Sequence, residues 1–90
     1  MTGTLTLSDY QAHAQRTDQR KANDTSLDFP LLGLFGETGS LLSEVKKKQR
    51  DAVAYLGYQE SVLEELGDVL WYLAALAARA NLGLDELAIN

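Results

Sequence analysis

Apolar residues recur at helical spacing in two long segments of the chain, and polar residues gather between and before them. In the first segment Leu31, Leu34, Phe35, Thr38, Leu41, Leu42 and Val45 fall three or four apart, which predicts a helix with a broad buried stripe. Its start is expected near Pro30, whose fixed φ suits a first helical turn, with Asp28 as the cap. Its end is expected among Lys46, Lys47, Lys48 and Arg50, cations placed where a helix is partially negative. After a loop around Gly57, a second segment from about Gln59 to Ala80 puts Leu63, Leu66, Leu70, Leu73 and Ala77 on one face, widened by Val62, Val69 and Leu76. Asn81 and Gly83 supply its stop, because both tolerate the left-handed backbone that ends helices.

A shorter helix is expected from a Ser8 cap to about Thr17, with Tyr10, Ala14 and His13 turned inward. Gln19 to Asp28 is polar and holds Asn23, Asp24, Thr25 and Ser26, side chains that compete for backbone hydrogen bonds and favour a loop. Leu84 to Asn90 reads as the opening turn of a fourth helix that the chain does not complete, so residues 1–90 are expected to be one helical domain trimmed within that helix. The fold class is all-α, a helical bundle. With 90 residues the domain is near the small end of what folds alone, so dimerisation is expected to complete the core.

Charge narrows the partners. A formal charge of -5 argues against binding a nucleic-acid backbone, which rests on neutralising phosphates with Lys and Arg. An acidic protein that handles phosphates needs a cation between the two. The absence of cysteine excludes disulfides, thiolate metal sites and cysteine nucleophiles, and fits the cytoplasm. No apolar run approaches the roughly 20 residues of a membrane span, and no membrane partner is expected.

The chemistry is carried by acids set into otherwise apolar helices. Glu37, Ser40 and Glu44 lie on the first long helix, and Glu64, Glu65 and Asp68 on the second. Residues seven apart on a helix differ by only about 20° around the axis and residues three apart by about 60°, so Glu37 and Glu44 share a face, and Glu65 pairs with Asp68. If the two helices pack antiparallel, the two sets face one another. Clustered carboxylates raise one another's pKa unless a cation sits among them. Oxygen ligands, one histidine and no cysteine point to a hard ion, Mg²⁺ with Mn²⁺ as the substitute. A di-iron bundle is excluded, because His13 has no glutamate three positions before it.

The strings Gly33-Leu34-Phe35-Gly36-Glu37, Glu37-Thr38-Gly39-Ser40 and Glu64-Glu65-Leu66-Gly67-Asp68-Val69-Leu70-Trp71-Tyr72-Leu73 resemble the MazG-like family, with its two-part E-x-x-E and E-x-x-D signature. The resemblance runs from about Leu31 to Asn90. It implies an all-α nucleoside triphosphate pyrophosphohydrolase, a homodimer or homotetramer, that cleaves (d)NTP to (d)NMP and pyrophosphate. On that likeness Glu37, Glu65 and Asp68 are catalytic and bind Mg²⁺, which neutralises phosphate charge and activates a water. Tyr72, one turn beyond Asp68, and Asn90 are expected near the nucleotide, and Lys47 or Lys48 near the outgoing phosphates. The sequence departs from the signature at Ser40, where the family has its second glutamate, and Glu44 is expected to reach into that gap as a further ligand. The alternative reading is a non-catalytic or impaired nucleotide-binding or dimerisation module of a longer protein.

More ordinary roles compete for several of these residues. The acids could form a solvated helix face, Lys46 to Lys48 a solvated last turn, and Trp71 and Tyr72 part of the core. His13 is expected to be structural, with lining of a base pocket as its alternative. Gly36, Gly39 and Gly67 each cost a helix interior about 1 kcal/mol relative to alanine, so close packing or room for phosphates must offset them.

Overall fold

A computed structural model describes residues 4–18 and 26–89. Of the loop expected from Gln19 to Asp28, residues 19–25 lie outside the described residues, as does Asn90, and Asp28 already belongs to a helix. The elements are α1 (Leu7–Thr17), α2 (Asp28–Asp51), a 3₁₀ turn (Ala52–Ala54), α3 (Tyr58–Arg79) and α4 (Leu84–Ile89). Among the described residues there is no strand, so the all-α expectation holds.

Helix ends follow local chemistry with some changes of residue. The cap of α1 is Thr6 rather than Ser8: the Asp9 amide donates to Thr6 Oγ1 at 3.0 Å, and the Thr6 amide donates to the Asp9 carboxylate at 3.4 Å. This reciprocal box satisfies two amides that a helix start leaves free. In α2 the first turn begins before Pro30, and Ser26 Oγ accepts from the Asp28 amide at 3.2 Å. Asn81 ends α3 with φ 63°, and the Leu82 amide reaches back to the Ala77 carbonyl at 2.8 Å. That is the bond pattern of a left-handed helix stop. Gly83 has no positive φ; instead its amide donates to Glu86 Oε1 at 3.1 Å and opens α4.

The two long helices pack against each other as an antiparallel pair. Gly33 meets Tyr72, Glu37 meets Glu65, and Glu44 is linked through the Tyr55 hydroxyl to Ser61, so the register advances along α2 as it retreats along α3. The α1 helix packs against α3, and α4 touches both. Their shared core is small: Ala14, Ala74 and Leu84 are buried, with Tyr10, Leu70, Trp71 and Leu73 packed against them.

One buried side chain ties this end together. Gln11 accepts from the Leu84 amide at 3.0 Å and donates to the carbonyls of Leu82, at 3.1 Å, and Ala74, at 3.4 Å. A buried amide that is bonded at both ends avoids the desolvation penalty of an unpaired polar group.

The buried line of α2 is not the expected one. Pro30, Gly33, Leu34, Glu37, Ser40, Leu41, Glu44 and Lys48 are buried or half-buried, whereas Leu31, Phe35, Leu42 and Val45 are exposed. Only Leu34 and Leu41 of the predicted stripe lie on it. The α2 helix therefore turns its acids toward α3 and its apolar residues outward, with Phe35 80% and Leu32 71% exposed. On α3, Leu63 and Leu66 are exposed too, while the half nearer Arg79 is enclosed by α1 and α4. The radius of gyration, 15.3 Å, exceeds the roughly 12 Å of a compact domain of this length, which fits so open a pair of faces.

Candidate active site

Helical spacing brings Glu37 to the α3-facing side of α2, and the antiparallel register places it against Glu65 and Asp68. Glu37 faces Glu65 closely enough for a hydrogen bond between the two carboxyl groups, which forms only when one of them carries a proton. That bond raises the Glu37 pKa from 4.5 to about 6; desolvation and the negative charges of Asp68, Glu65 and Glu64 push it the same way. Glu65 Oε2 is buried and has no hydrogen-bond partner.

These groups adjoin an open cavity of about 410 Å³ lined by Thr17, Glu37, Asp68, Trp71 and Tyr72. Trp71 and Tyr72 meet edge to face at 5.3 Å between centroids, and Phe29 meets Tyr72 edge-on at 6.1 Å. Gly33 is required here, since a Cβ at that position would fall inside the Tyr72 ring. Tyr10 lies close enough for the Asp68 charge to assist burial, the larger cause, in raising its phenol pKa.

Glu44 is placed elsewhere. The Tyr55 hydroxyl donates to its carboxylate and lies 3.2 Å from Ser61 Oγ, and Lys47 Nζ pairs with it at 3.7 Å. Its side chain is only 12% exposed. The expected reach of Glu44 toward Glu37 is thus not what the structure shows, because Tyr55 and Lys47 already occupy its oxygens at the far end of the α2–α3 seam. Lys47 belongs to this same cluster, 6.0 Å from the Tyr55 ring centroid, and Lys48 Nζ donates to the Ala52 carbonyl at 3.2 Å. Ser40 is half-buried on the acid-bearing side of α2. Of the nucleotide contacts anticipated, Tyr72 lines the cavity, while Asn90 lies outside the described residues. His13 is exposed and bonded to Arg16 at 3.2 Å, away from the inward position expected for it.

Sequence reasoning turned Tyr10 inward but assigned neither Tyr10 nor Thr17 to the site. Their position in a short polar helix carries no signal that Tyr10 would lie near Asp68 or that Thr17 would line the cavity.

No three acidic side chains among the described residues stand at the spacing that encloses an ion. The donors nonetheless suit Mg²⁺, which takes one or two carboxylates and completes its shell with water and substrate phosphates. Glu65 Oε2, buried without a hydrogen-bond partner, is a further oxygen that such an ion could take.

The MazG nucleotide pyrophosphohydrolase domain matches residues 27–88 of the chain, a stretch that spans α2, α3 and nearly all of α4. The chain belongs to the MazG family. Gene 37 protein of Mycobacterium phage L5 is 37% identical over 63 residues, 68% of this chain and 55% of that protein. The chain thus spans about half the length of this MazG-family chain's curated relative. No solved structure matches it. The MazG match includes Glu37, Glu65, Asp68, Trp71 and Tyr72 and leaves out α1.

Proposed function

We propose that this MazG-family chain is a Mg²⁺-dependent nucleotide pyrophosphohydrolase that cleaves (d)NTP to (d)NMP and pyrophosphate in the cytoplasm. The observation that carries the reading is the meeting of Glu37 with Glu65, beside a cavity that Glu37 and Asp68 line together with Trp71 and Tyr72. Glu37, Glu65 and Asp68 would hold the ion; Mn²⁺ fits the same oxygens. When bound, Mg²⁺ supplies charge neutralisation on the phosphates and Lewis-acid activation of the attacking water. The carboxylates orient the triphosphate through that charge, and Tyr72 lines the same cavity.

The same family membership favours a homodimer or homotetramer. Two apolar lines, Leu32, Phe35 and Leu42 on α2 and Leu63 and Leu66 on α3, face away from the seam between these helices and remain exposed. A Cβ added at Gly36, Gly39 or Gly67 meets nothing, so the backbone there is open to a close-packed second subunit.

The test is pyrophosphate release across ordinary and modified triphosphates with Mg²⁺. Glu65→Gln and Asp68→Asn should each reduce turnover by at least about a hundredfold, the scale on which charge-stabilising groups act, while circular dichroism stays unchanged. No turnover on any nucleotide would refute the reading.

A second reading, a nucleotide-binding or dimerisation module with a degenerate site, is favoured by Ser40 and by the engagement of Glu44 with Tyr55 and Lys47. Calorimetric titration separates the two, since a pure dimerisation module shows no metal-dependent nucleotide binding. A large gain in activity from Ser40→Glu would mark the present site as degenerate.

A further inference from the structure

The helix that lies outside the MazG match contributes to the cavity. Thr17, the last residue of α1, lines it together with Glu37, Asp68, Trp71 and Tyr72. Its hydroxyl donates to the Ala14 carbonyl at 2.8 Å and accepts from Trp71 Nε1 at 2.9 Å. A hydroxyl has one proton and an indole N–H can only donate, so with the proton committed to Ala14 the oxygen lone pairs are left for Trp71. The indole is thereby held on two sides: its N–H on Thr17, and its ring edge to face with Tyr72.

A cavity lined by two carboxylates and a fixed indole offers groups for both ends of a nucleotide. Phosphates take the cation, and a flat base takes an aromatic face, a contact that every base can make. Resting on the pyrophosphohydrolase reading above, we propose that Trp71 is the surface on which the nucleoside of the substrate packs, and that Thr17 is the positioning residue that sets the plane of its ring. Nucleotide affinity in this chain then depends on a residue contributed by α1. Thr17 acts through Trp71 and leaves the reacting phosphates to the acids.

Trp71 is the sole tryptophan, so its emission reports on the site directly. Non-hydrolysable α,β-imido nucleotides with Mg²⁺ should shift or quench the emission of the wild-type protein. Thr17→Val keeps the side-chain shape and removes the acceptor. It should weaken nucleotide binding and raise KM roughly three- to tenfold, the worth of one neutral hydrogen bond, with the loss falling on KM rather than kcat. Thr17→Ser should restore both. In a Trp71→Phe background, followed by calorimetry, Thr17→Val should have no further effect, because the bond it breaks is already gone.

Wild-type affinity in Thr17→Val, or a full additive loss in the double variant, would overturn this inference and leave the hydrolase reading standing. If the wild-type protein binds no nucleotide with Mg²⁺ by calorimetry, both fall.

Discussion

Replacing Glu37 by glutamine separates the metal-binding cost of the site from its chemistry. In the metal-free protein the Glu37 carboxyl holds its proton up to about pH 6 instead of 4.5, chiefly because it shares that proton with Glu65. Its folded pKa is raised, so the folded state binds the proton more tightly than the unfolded chain does between those values, and stability falls as pH rises through that window. Below about pH 4.5 the group is protonated in both states and costs nothing; above about pH 6 the full penalty stands. The gap between 4.5 and about 6 corresponds to at most about 2 kcal/mol, and because the pair adjoins an open cavity, solvent screening brings this to ~1 kcal/mol.

Glutamine can donate to Glu65 at any pH, as the protonated acid does, without the second charge. Glu37→Gln should therefore melt about 4–8 °C above wild type at pH 7 in chelator, and at the same temperature as wild type at pH 4. Mg²⁺ should reverse the order at pH 7, raising wild type and leaving the variant nearly unmoved, because an ion that binds only the folded state stabilises by mass action. Scanning calorimetry between pH 4 and 8, at equal protein concentrations with and without Mg²⁺, measures all of this. Coincident melting curves across the whole range, or a gap that closes rather than opens with rising pH, would refute the shared-proton argument.

Other perturbations test the frame around the site. Gly33→Ala gains up to about 1 kcal/mol of helix propensity but forces the Tyr72 ring aside at roughly 1–3 kcal/mol, so urea melts should show a net loss and nucleotide binding should weaken. Gln11→Leu leaves the Leu84 amide and the Leu82 carbonyl without their partner; it should cost about 1–3 kcal/mol and speed amide exchange across α4, as read by hydrogen-exchange mass spectrometry. Phe35→Glu places a charge on the exposed apolar line of α2. Light scattering should show it to be monomeric where wild type is oligomeric, with helix content retained, and an unchanged mass would remove α2 from the subunit interface.

Periodicity located the long helices to within two residues because it depends only on spacing, and the same spacing brought Glu37, Glu65 and Asp68 together because those helices fix their faces. The face that α2 buries was less legible. Leu31, Phe35, Leu42 and Val45 form as good a stripe as the line through Leu34, Glu37, Leu41 and Glu44, and spacing alone cannot rank two faces when one is left open in the single subunit. Glu44 shows the same limit: it shares a helix face with Glu37, but its carboxylate is taken by Tyr55 from the connection between the helices, whose hydroxyl also reaches Ser61. The choice of Thr6 over Ser8 as a cap turned on Asp9, whose carboxylate closes the box from the other side. Gln11 bonds to residues more than sixty positions away, and no local pattern marks a glutamine for that task.

The amide of Gln11 makes an appended segment obligatory. A fragment cut to begin at residue 27 would contain everything by which the family is recognised, yet it would strip α4 of its anchor and leave the indole at position 71 unmoored. Swapping the leading helix between relatives would accordingly transplant more than a terminus: it would exchange a hinge pin for the last helix and one wall of the binding chamber in a single step.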